Sequence, residues 1–361
     1  MEIYVLDSRN NYTPVGVIDS YTSLIWTKRY YNYGDFELYL PASDNLLDIL
    51  RPDFFITRDD DDSVMVIEKI QIQTDAENGD YFLVSGRSLE SILLRRIFEQ
   101  QFVYESTGTL ADAVSAFVTE CTTNHDASPA HPYTYRQIAG LTVDTSSNFD
   151  GAMQIQFTGD TLLSAIIAVC KQREIGFKLT LQGSTMLLSL YQGNDVSDNV
   201  IFSTEFDNLV SSKYLYDTTN LTNSIAVFGE GEGDQRKKYY RLFFNREVNP
   251  ESGLDLRELY VDARNISSNN GEIDSNAYYA MLAQKADEVH ANHDISQSFE
   301  SEIEPRMTFD YKTDYNLGDI VTVQNDYGIT AKPRIIEIIE NWSDEGYKVI
   351  PTFDVLEVVP T

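Results

Sequence analysis

Three stretches of this chain carry residue types that do chemistry in other proteins. Gly229-Glu230-Gly231-Glu232-Gly233-Asp234 has the glycine density of a phosphate loop. Such a loop cradles phosphate on backbone N–H groups and needs correctly placed glycines, often with a following Lys-Ser or Lys-Thr. Here the third glycine is misplaced, no such pair follows, and two glutamates would repel the anion. The stretch reads as an acidic hairpin tip. His290 and His293 stand three apart, with Asp287 and Asp294 nearby, and on a helix such a pair shares one face and offers ligands to a metal. The glutamate of a metalloprotease motif is missing, and the pair falls where the helix should end, a place that favours histidine through the helix dipole. Asp59-Asp60-Asp61-Asp62 offers oxygen ligands without the glycine and spacing of a calcium loop, so a solvated hairpin tip is expected.

Other chemistry finds no support in the pattern. His125 and His131 lie in a polar loop without a nucleophile beside them, and no Gly-x-Ser-x-Gly elbow is present. With 57 carboxylates, acidic pairs arise by chance, and sequence spacing says nothing of their separation in space. Cys121 and Cys170 are too far apart for a ligand pair and sit in expected helices, so both read as buried thiols. The expectation is a protein without catalytic residues, cofactor or metal.

The elements around these stretches are mostly strands. Alternating apolar residues predict strands at 2–7, 14–19, 22–30, 35–40, 54–58, 64–73 and 80–87. Trp26, Tyr30, Phe36, Leu38 and Leu40 supply bulky positions around a Gly34-Asp35 turn, and must pack into a core or an interface. A helix is expected over 88–98, capped by Ser88, and another over 109–121. A third is expected over 158–175, capped by Thr158 or Asp160 and stopped by Gly176. A hairpin follows across 182–184. Further strands are expected at 209–216, 224–229, 259–262, 319–323, 334–340 and 347–353, with a helix near 275–291. The division is 1–100 as a first β domain, 101–205 as an α+β domain, 206–240 with 299–361 as a second β domain, and 241–298 as an insertion carrying a helix. Two β domains of comparable size fit a divergent duplication, although no exact repeat is visible.

Composition bounds the function classes. The chain has 361 residues, 42% hydrophobic and 23% charged, enough for two or three packed domains. Its 23 tyrosines and 18 phenylalanines favour β structure and, equally, interfaces. The net charge of -30 repels phosphate, which argues against binding nucleic acid or an anionic membrane. No apolar run approaches a membrane span of about 18 residues. The first residues read as a strand, not a signal peptide.

Several segments, in order, resemble a family of siphophage tail-hub proteins. They are Trp26 to Pro41; Val84 to Leu89 with Leu94 to Ile97; Asn223 to Gly233; Tyr260 to Arg264; and Tyr315 to Val323. The family is related in fold to the trimeric baseplate hub of contractile phages and to the N-terminal part of tail-associated lysins. The resemblance implies a mainly β chain with α+β insertions, built on two tail-tube-like β-barrel or sandwich domains plus smaller α/β domains. It implies a homotrimer forming a pseudo-sixfold ring at the virion tail tip, assembled in the host cytoplasm. The implied neighbours are a distal tail protein and a tape-measure, tip or receptor-binding protein, with DNA as passing cargo and no membrane bound. Trp26, Tyr30, Gly34, Asp35, Phe36, Gly229, Gly231, Gly233, Gly318 and Asp319 are the candidate structural or interface residues. Ending at Thr361 without a peptidase or lysozyme extension argues against wall degradation by this polypeptide. The alternative is a β-rich carbohydrate-binding or host-surface adhesin module; a wall hydrolase ranks third.

Overall fold

The computed structural model describes all residues except 75–78, 124–135, 207, 245–252, 304–307, 325–329, 355–357 and 360–361. His125 and His131 therefore lie outside the described residues. The chain is mainly β. Its first part contains β1 (Ile3–Asp7), β2 (Thr13–Ile18), β3 (Ser23–Arg29), β4 (Asp35–Pro41), a short helix α1 (Asp44–Ile49), β5 (Phe55–Arg58), β6 (Val64–Gln73) and β7 (Tyr81–Ser88). The middle contains β8 (Phe102–Ser106), α2 (Leu110–Thr122), β9 (Leu141–Val143), β10 (Met153–Phe157), α3 (Leu162–Gln172), β11 (Gly176–Gln182) and β12 (Thr185–Tyr191). Then come β13 (Ile201–Ser203), β14 (Leu209–Asp217), β15 (Ser224–Phe228), β16 (Lys238–Leu242), β17 (Glu258–Asp262) and α4 (Ser275–His290). The last part holds β18 (Ser296–Ile303), β19 (Thr322–Gln324), β20 (Thr330–Ala331), β21 (Arg334–Ser343), β22 (Gly346–Asp354) and β23 (Val358–Val359).

One 11-stranded sheet joins the two ends of the chain, in the order β14-β18-β22-β21-β3-β4-β7-β6-β5-β1-β2. Within it, β3-β4-β7-β6 and β14-β18-β22-β21 follow the same scheme: first, second, fourth and third strand of an antiparallel unit. The two units meet where β21 pairs with β3, from Glu337↔Arg29 to Trp342↔Leu24. Each third strand carries a bulge at the same point, between Ile67 and Lys69 in β6 and between Ile335 and Glu337 in β21. Ahead of the bulge, each third strand also passes into further β structure. β6 pairs with β5 at Phe55↔Val66, and Arg334 bridges to Ile320 beside the small sheet β13-β19-β20-β23.

Burial follows the alternation that the sequence displays. In β3, Leu24 and Trp26 face the core, and in β4 Phe36, Leu38 and Leu40 do so while Glu37 is exposed. The middle segment packs α2 on α3 over β10 and the β11-β12 hairpin, burying Leu110, Val114, Phe117, Ile166 and both cysteines.

Several local expectations change. Residues 88–98 do not form an α-helix; Leu89–Arg95 is a 3-10 helix. The Ser88 hydroxyl caps nothing there, because it accepts from the Gly34 N–H and donates to Glu90. α3 starts later than expected, capped by Thr161, whose oxygen accepts the Ser164 N–H. Its left-handed stop is Glu174 (φ 55°), while Gly176 already opens β11. The expected strand 319–323 shortens to 322–324, since Asp319 is spent on a turn. Of the stretch 206–240, β14 joins the large sheet. β15 and β16 instead pair with β17, and α4 packs against this small sheet.

Candidate functional site

The joint between the two four-stranded units is where the chemistry-bearing residues collect. Trp26 and Phe36 pair directly across β3 and β4, almost wholly buried, with ring centroids 6.1 Å apart. The indole Nε1 of Trp26 donates to Ser63 Oγ at 2.8 Å, and Ser63 donates in turn to Asp61. Gly34 permits the tight β3–β4 turn, since a methyl group there would stand 1.9 Å from the Thr27 carbonyl oxygen. Asp35 accepts from Arg29 at 2.6 Å, and the same guanidinium reaches Glu337 of β21 at 2.5 Å.

Of the acidic run 59–62, Asp59, Asp60 and Asp62 are exposed at a turn as expected, but the side chain of Asp61 is not. Asp61 is buried, and its carboxylate is gripped by Lys28 Nζ at 2.6 Å and Lys312 Nζ at 2.8 Å. Burial would push this carboxyl up, but the two ammonium groups outweigh it and hold it far below the usual aspartate range. Beside it, Arg58 and Glu340 form a buried two-pronged pair, with Nη1–Oε2 and Nη2–Oε1 both at 3.2 Å. The guanidinium lies between the rings of Trp26 and Trp342, 5.2 and 4.3 Å from their centroids, and also holds Asp60. Tyr347 donates to Glu340 at 3.0 Å. One cluster thus ties β3, the β5–β6 turn, β21, β22 and the 310–316 loop.

A second knot lies at the middle segment. Tyr30 is buried, and its hydroxyl sits 3.1 Å from the Glu174 carbonyl and 3.2 Å from that of Tyr191. Its ring rests against Gly318, where a methyl group would come within 2.4 Å, and against Gly176, within 2.3 Å. Arg334 donates to the Gly318 carbonyl at 2.7 Å and to the Glu174 carboxylate at 3.0 Å, with its guanidinium over the Tyr30 ring. Asp319, 2% exposed, accepts the N–H groups of Asn194 and Asn316 at 2.7 and 2.8 Å. Three candidates far apart in sequence, Tyr30, Gly318 and Asp319, therefore meet at one place. Between the two knots lies a cavity of about 370 Å³, lined by Lys28, Asp61, Glu90, Tyr191, Tyr311 and Lys312 among others.

Gly229, Gly231 and Gly233 lie elsewhere, in the β15–β16 connection. Gly229 packs against the Tyr278 hydroxyl, which accepts the Glu230 N–H at 2.8 Å. Gly231 and Gly233 take left-handed φ values of 105° and 52°. Burial would raise Glu230, but hydrogen bonds from Lys237 and Ser268 prevail and hold it down to about 2. This carboxylate fixes a turn and faces no open phosphate cradle.

The remaining candidates do not assemble into reactive groups. Among the described residues, no three His, Cys, Asp or Glu side chains come together as a metal site. His290 stacks on Phe243 at 3.7 Å, while His293 sits on the Val289 carbonyl, so the pair has separate partners. Cys121 and Cys170 are free and buried, and burial pushes both thiols up to about 12. Arg58, Lys312, Arg334 and Glu340 were not singled out from the sequence, and Asp61 was named only as part of the acidic run. One signal was available: Arg58 and Glu340 each place a charge just after a strand stretch rich in apolar residues, Phe54-Phe55-Ile56 and Ile338-Ile339.

The arrangement binds remote segments of the chain together through charge pairs and packed rings. The sequence model of siphovirus ReqiPepy6 Gp37-like proteins matches residues 2–353. The 43 kDa tail protein of prophage MuSo2 from Shewanella oneidensis has a similar fold, with a TM-score of 0.58 at 14% identity over 98% of both chains. A tail protein from Neisseria meningitidis MC58 gives 0.57 at 14%, covering 98% of this chain and 95% of that one. Prophage tail protein gp18 from Listeria monocytogenes EGD-e gives 0.52 at 10%, covering 98% and 94%. At these identities the likeness is one of fold. No curated protein sequence matches the chain.

Proposed function

Because this chain belongs to the siphovirus ReqiPepy6 Gp37-like protein family of phage tail proteins, we propose that it is the hub at the distal tip of a siphophage-type tail. In this reading three copies form a ring that carries the sixfold tube onto a threefold tip. The observation that carries the reading is the repeated four-stranded unit within one sheet. Two like units per chain give six around a trimer, the symmetry match that a hub requires.

The ring binds a distal tail protein above and a tape-measure, tip or receptor-binding protein below. It works by interlocking surfaces, without catalysis, as a part of the virion assembled in the host cytoplasm. Each copy brings a net charge of -30, so DNA leaving through the bore meets a wall that repels it. The buried clamps at Asp61 and Arg58 keep the two units of one copy in fixed register.

One observation favours the adhesin reading. The outer face of the β16-β15-β17 sheet exposes Tyr240 (63%) and Tyr260 (55%), flat aromatic groups of the kind that stack on sugars. Native mass measurement of the purified chain, with negative-stain imaging of the same sample, decides between them. A threefold ring of three chains supports the hub. A compact monomer that binds glycans and forms no ring with the distal tail protein supports the adhesin.

A further inference from the structure

The cavity between the two knots contains one charge without a counterion. Glu90 follows β7 in the 3-10 helix Leu89–Arg95, and its carboxylate accepts from the Ser88 hydroxyl and, at 2.8 Å, from the Leu179 N–H. Among the described residues, no Lys, Arg or His side chain pairs with it. The other charges that line the cavity are paired. Lys28 and Lys312 hold Asp61, Arg29 holds Asp35 and Glu337, Arg58 holds Asp60, and Lys178 holds Asp62 at 2.7 Å. A charge taken out of water without a partner is costly. Glu90 carries that cost: burial raises its pKa, and the Asp62 carboxylate, which lines the same cavity, raises it further.

Two more polar groups there are unfilled. Tyr191 of β12 and Tyr311 of the 310–316 loop line the cavity, and neither hydroxyl has a hydrogen-bond partner among the described residues. Burial pushes both far above the ordinary tyrosine range, so both stay neutral and can accept as well as donate. The charges of Glu90 and Tyr311 both act on Tyr191, which puts the three within electrostatic reach of one another. The Tyr311 ring already draws ammonium groups, with Lys28 Nζ and Lys312 Nζ 5.0 and 5.8 Å from its centroid. Phe177, Leu179 and Leu317 add apolar wall. At about 370 Å³ the space exceeds what a metal ion needs, and among the described residues no metal-ligand cluster forms. A carboxylate and two phenols beside apolar walls match a ligand that carries N–H donors on an alkyl chain.

We propose that this cavity binds an aliphatic amine cation, with its ammonium on the Glu90 carboxylate and the Tyr191 and Tyr311 hydroxyls and its alkyl chain along Phe177 and Leu317. The ammonium supplies the missing counterion, and its three N–H donors meet three acceptors. Glu90 flanks the first four-stranded unit, Tyr191 belongs to the middle segment and Tyr311 to the last part of the chain, so an occupant ties the three together. The site is complete within one copy and stands whether or not the chain forms a ring.

The test titrates the full chain with butan-1-amine at pH 7.5 and constant ionic strength. Melting temperature is the readout, because a ligand of the folded state raises it in a saturable way. Wild type should show that rise, and butan-1-ol, of similar shape without the charge, should not. Glu90→Gln should raise the half-saturating concentration by about tenfold or more, the loss of one charged hydrogen bond, and Tyr191→Phe by a smaller factor. Asp48→Asn removes the same charge from an exposed position and should change nothing, which separates the site from general attraction of amines to an acidic chain. Nα-acetyl-lysine amide presents the same ammonium on a lysine side chain. Binding as tight as that of butan-1-amine assigns the site to a lysine of a partner protein, exclusion assigns it to a free amine, and either result keeps the ammonium site. No saturable rise in wild type, equal half-saturation in wild type and Glu90→Gln, or equal binding of butan-1-ol overturns the proposal.

Discussion

Arg58 of β5 and Glu340 of β21 meet as a buried, doubly bonded ion pair between the rings of Trp26 and Trp342. Neither side chain is more than 2% exposed. Taking both charges out of water is costly, so the pair holds register more than it adds stability. Removing one partner leaves the other charge stranded. Arg58→Met is expected to cost about 3–5 kcal/mol, read as a lower urea midpoint with an unchanged slope. The double change Arg58→Met/Glu340→Leu should recover most of that loss. A single variant as stable as wild type would contradict this account.

Asp61 makes stability depend on acid. Its folded pKa is depressed, so its contribution is complete above the ordinary aspartate value of about 3.9. It is lost as pH falls from there toward the folded value. Thermal melts between pH 3 and 7 should show a steeper acid loss for wild type than for Asp61→Asn, whose melting temperature is lower at pH 7. Parallel curves would contradict this.

Glu90 acts with the opposite sign. Burial raises its folded pKa, more than its hydrogen bonds from Ser88 and the Leu179 N–H lower it. Ionising it in place costs stability. That cost is absent below the ordinary glutamate value of about 4.3 and grows as pH rises through the folded pKa. Glu90→Gln should therefore raise the melting temperature at pH 7.5, with the gain vanishing near pH 4. A gain that persists at pH 4 would point to packing instead.

Gly318 combines a left-handed φ of 97° with the Tyr30 ring against its Cα. Gly318→Ala should cost about 2 kcal/mol or more, the sum of backbone strain and a displaced ring. Gly183 has a φ of 62° and nothing within 4 Å, so Gly183→Ala isolates the backbone part at about 1 kcal/mol. Equal losses at the two sites would remove Tyr30 from the explanation.

The thiols report on the middle segment. Burial pushes Cys121 and Cys170 up to about 12, so neither should react with a thiol reagent at pH 8 in the folded chain. Both should react fully in guanidinium chloride. Fast labelling without denaturant would mean that α2 and α3 open.

The strands β1 to β7, β14, β15, β17, β21 and β22, the helices α2 and α4 and the β11-β12 hairpin were legible in the sequence because each depends on nearest neighbours along the chain, whereas β8, β9, β10, β13, β16 and β18 were not read from it. Alternation in β3 and β4 places Trp26 and Phe36 on one face, and Thr109 with Asp112 closes a capping box at the start of α2. The family resemblance was legible because it lies in short segments read in order along the chain, among them the turn at Gly34, where a side chain would meet the Thr27 carbonyl. The fate of the acidic run was not legible. Asp61 carries the same side chain as its neighbours, and only the approach of Lys28 and Lys312 from remote segments turns a solvated residue into a buried anchor. The shared strand order and bulge position of the two units were not legible either, because they are set by pairings between strands far apart in the chain. The sequence by itself determined most of the regular elements, the acidity and the lack of a recognisable catalytic motif. Tertiary structure decided that the two ends share one sheet, that β15 and β16 belong with β17, and that Tyr30, Gly318 and Asp319 meet. Those outcomes depend on contacts between residues far apart along the chain, which local pattern does not encode.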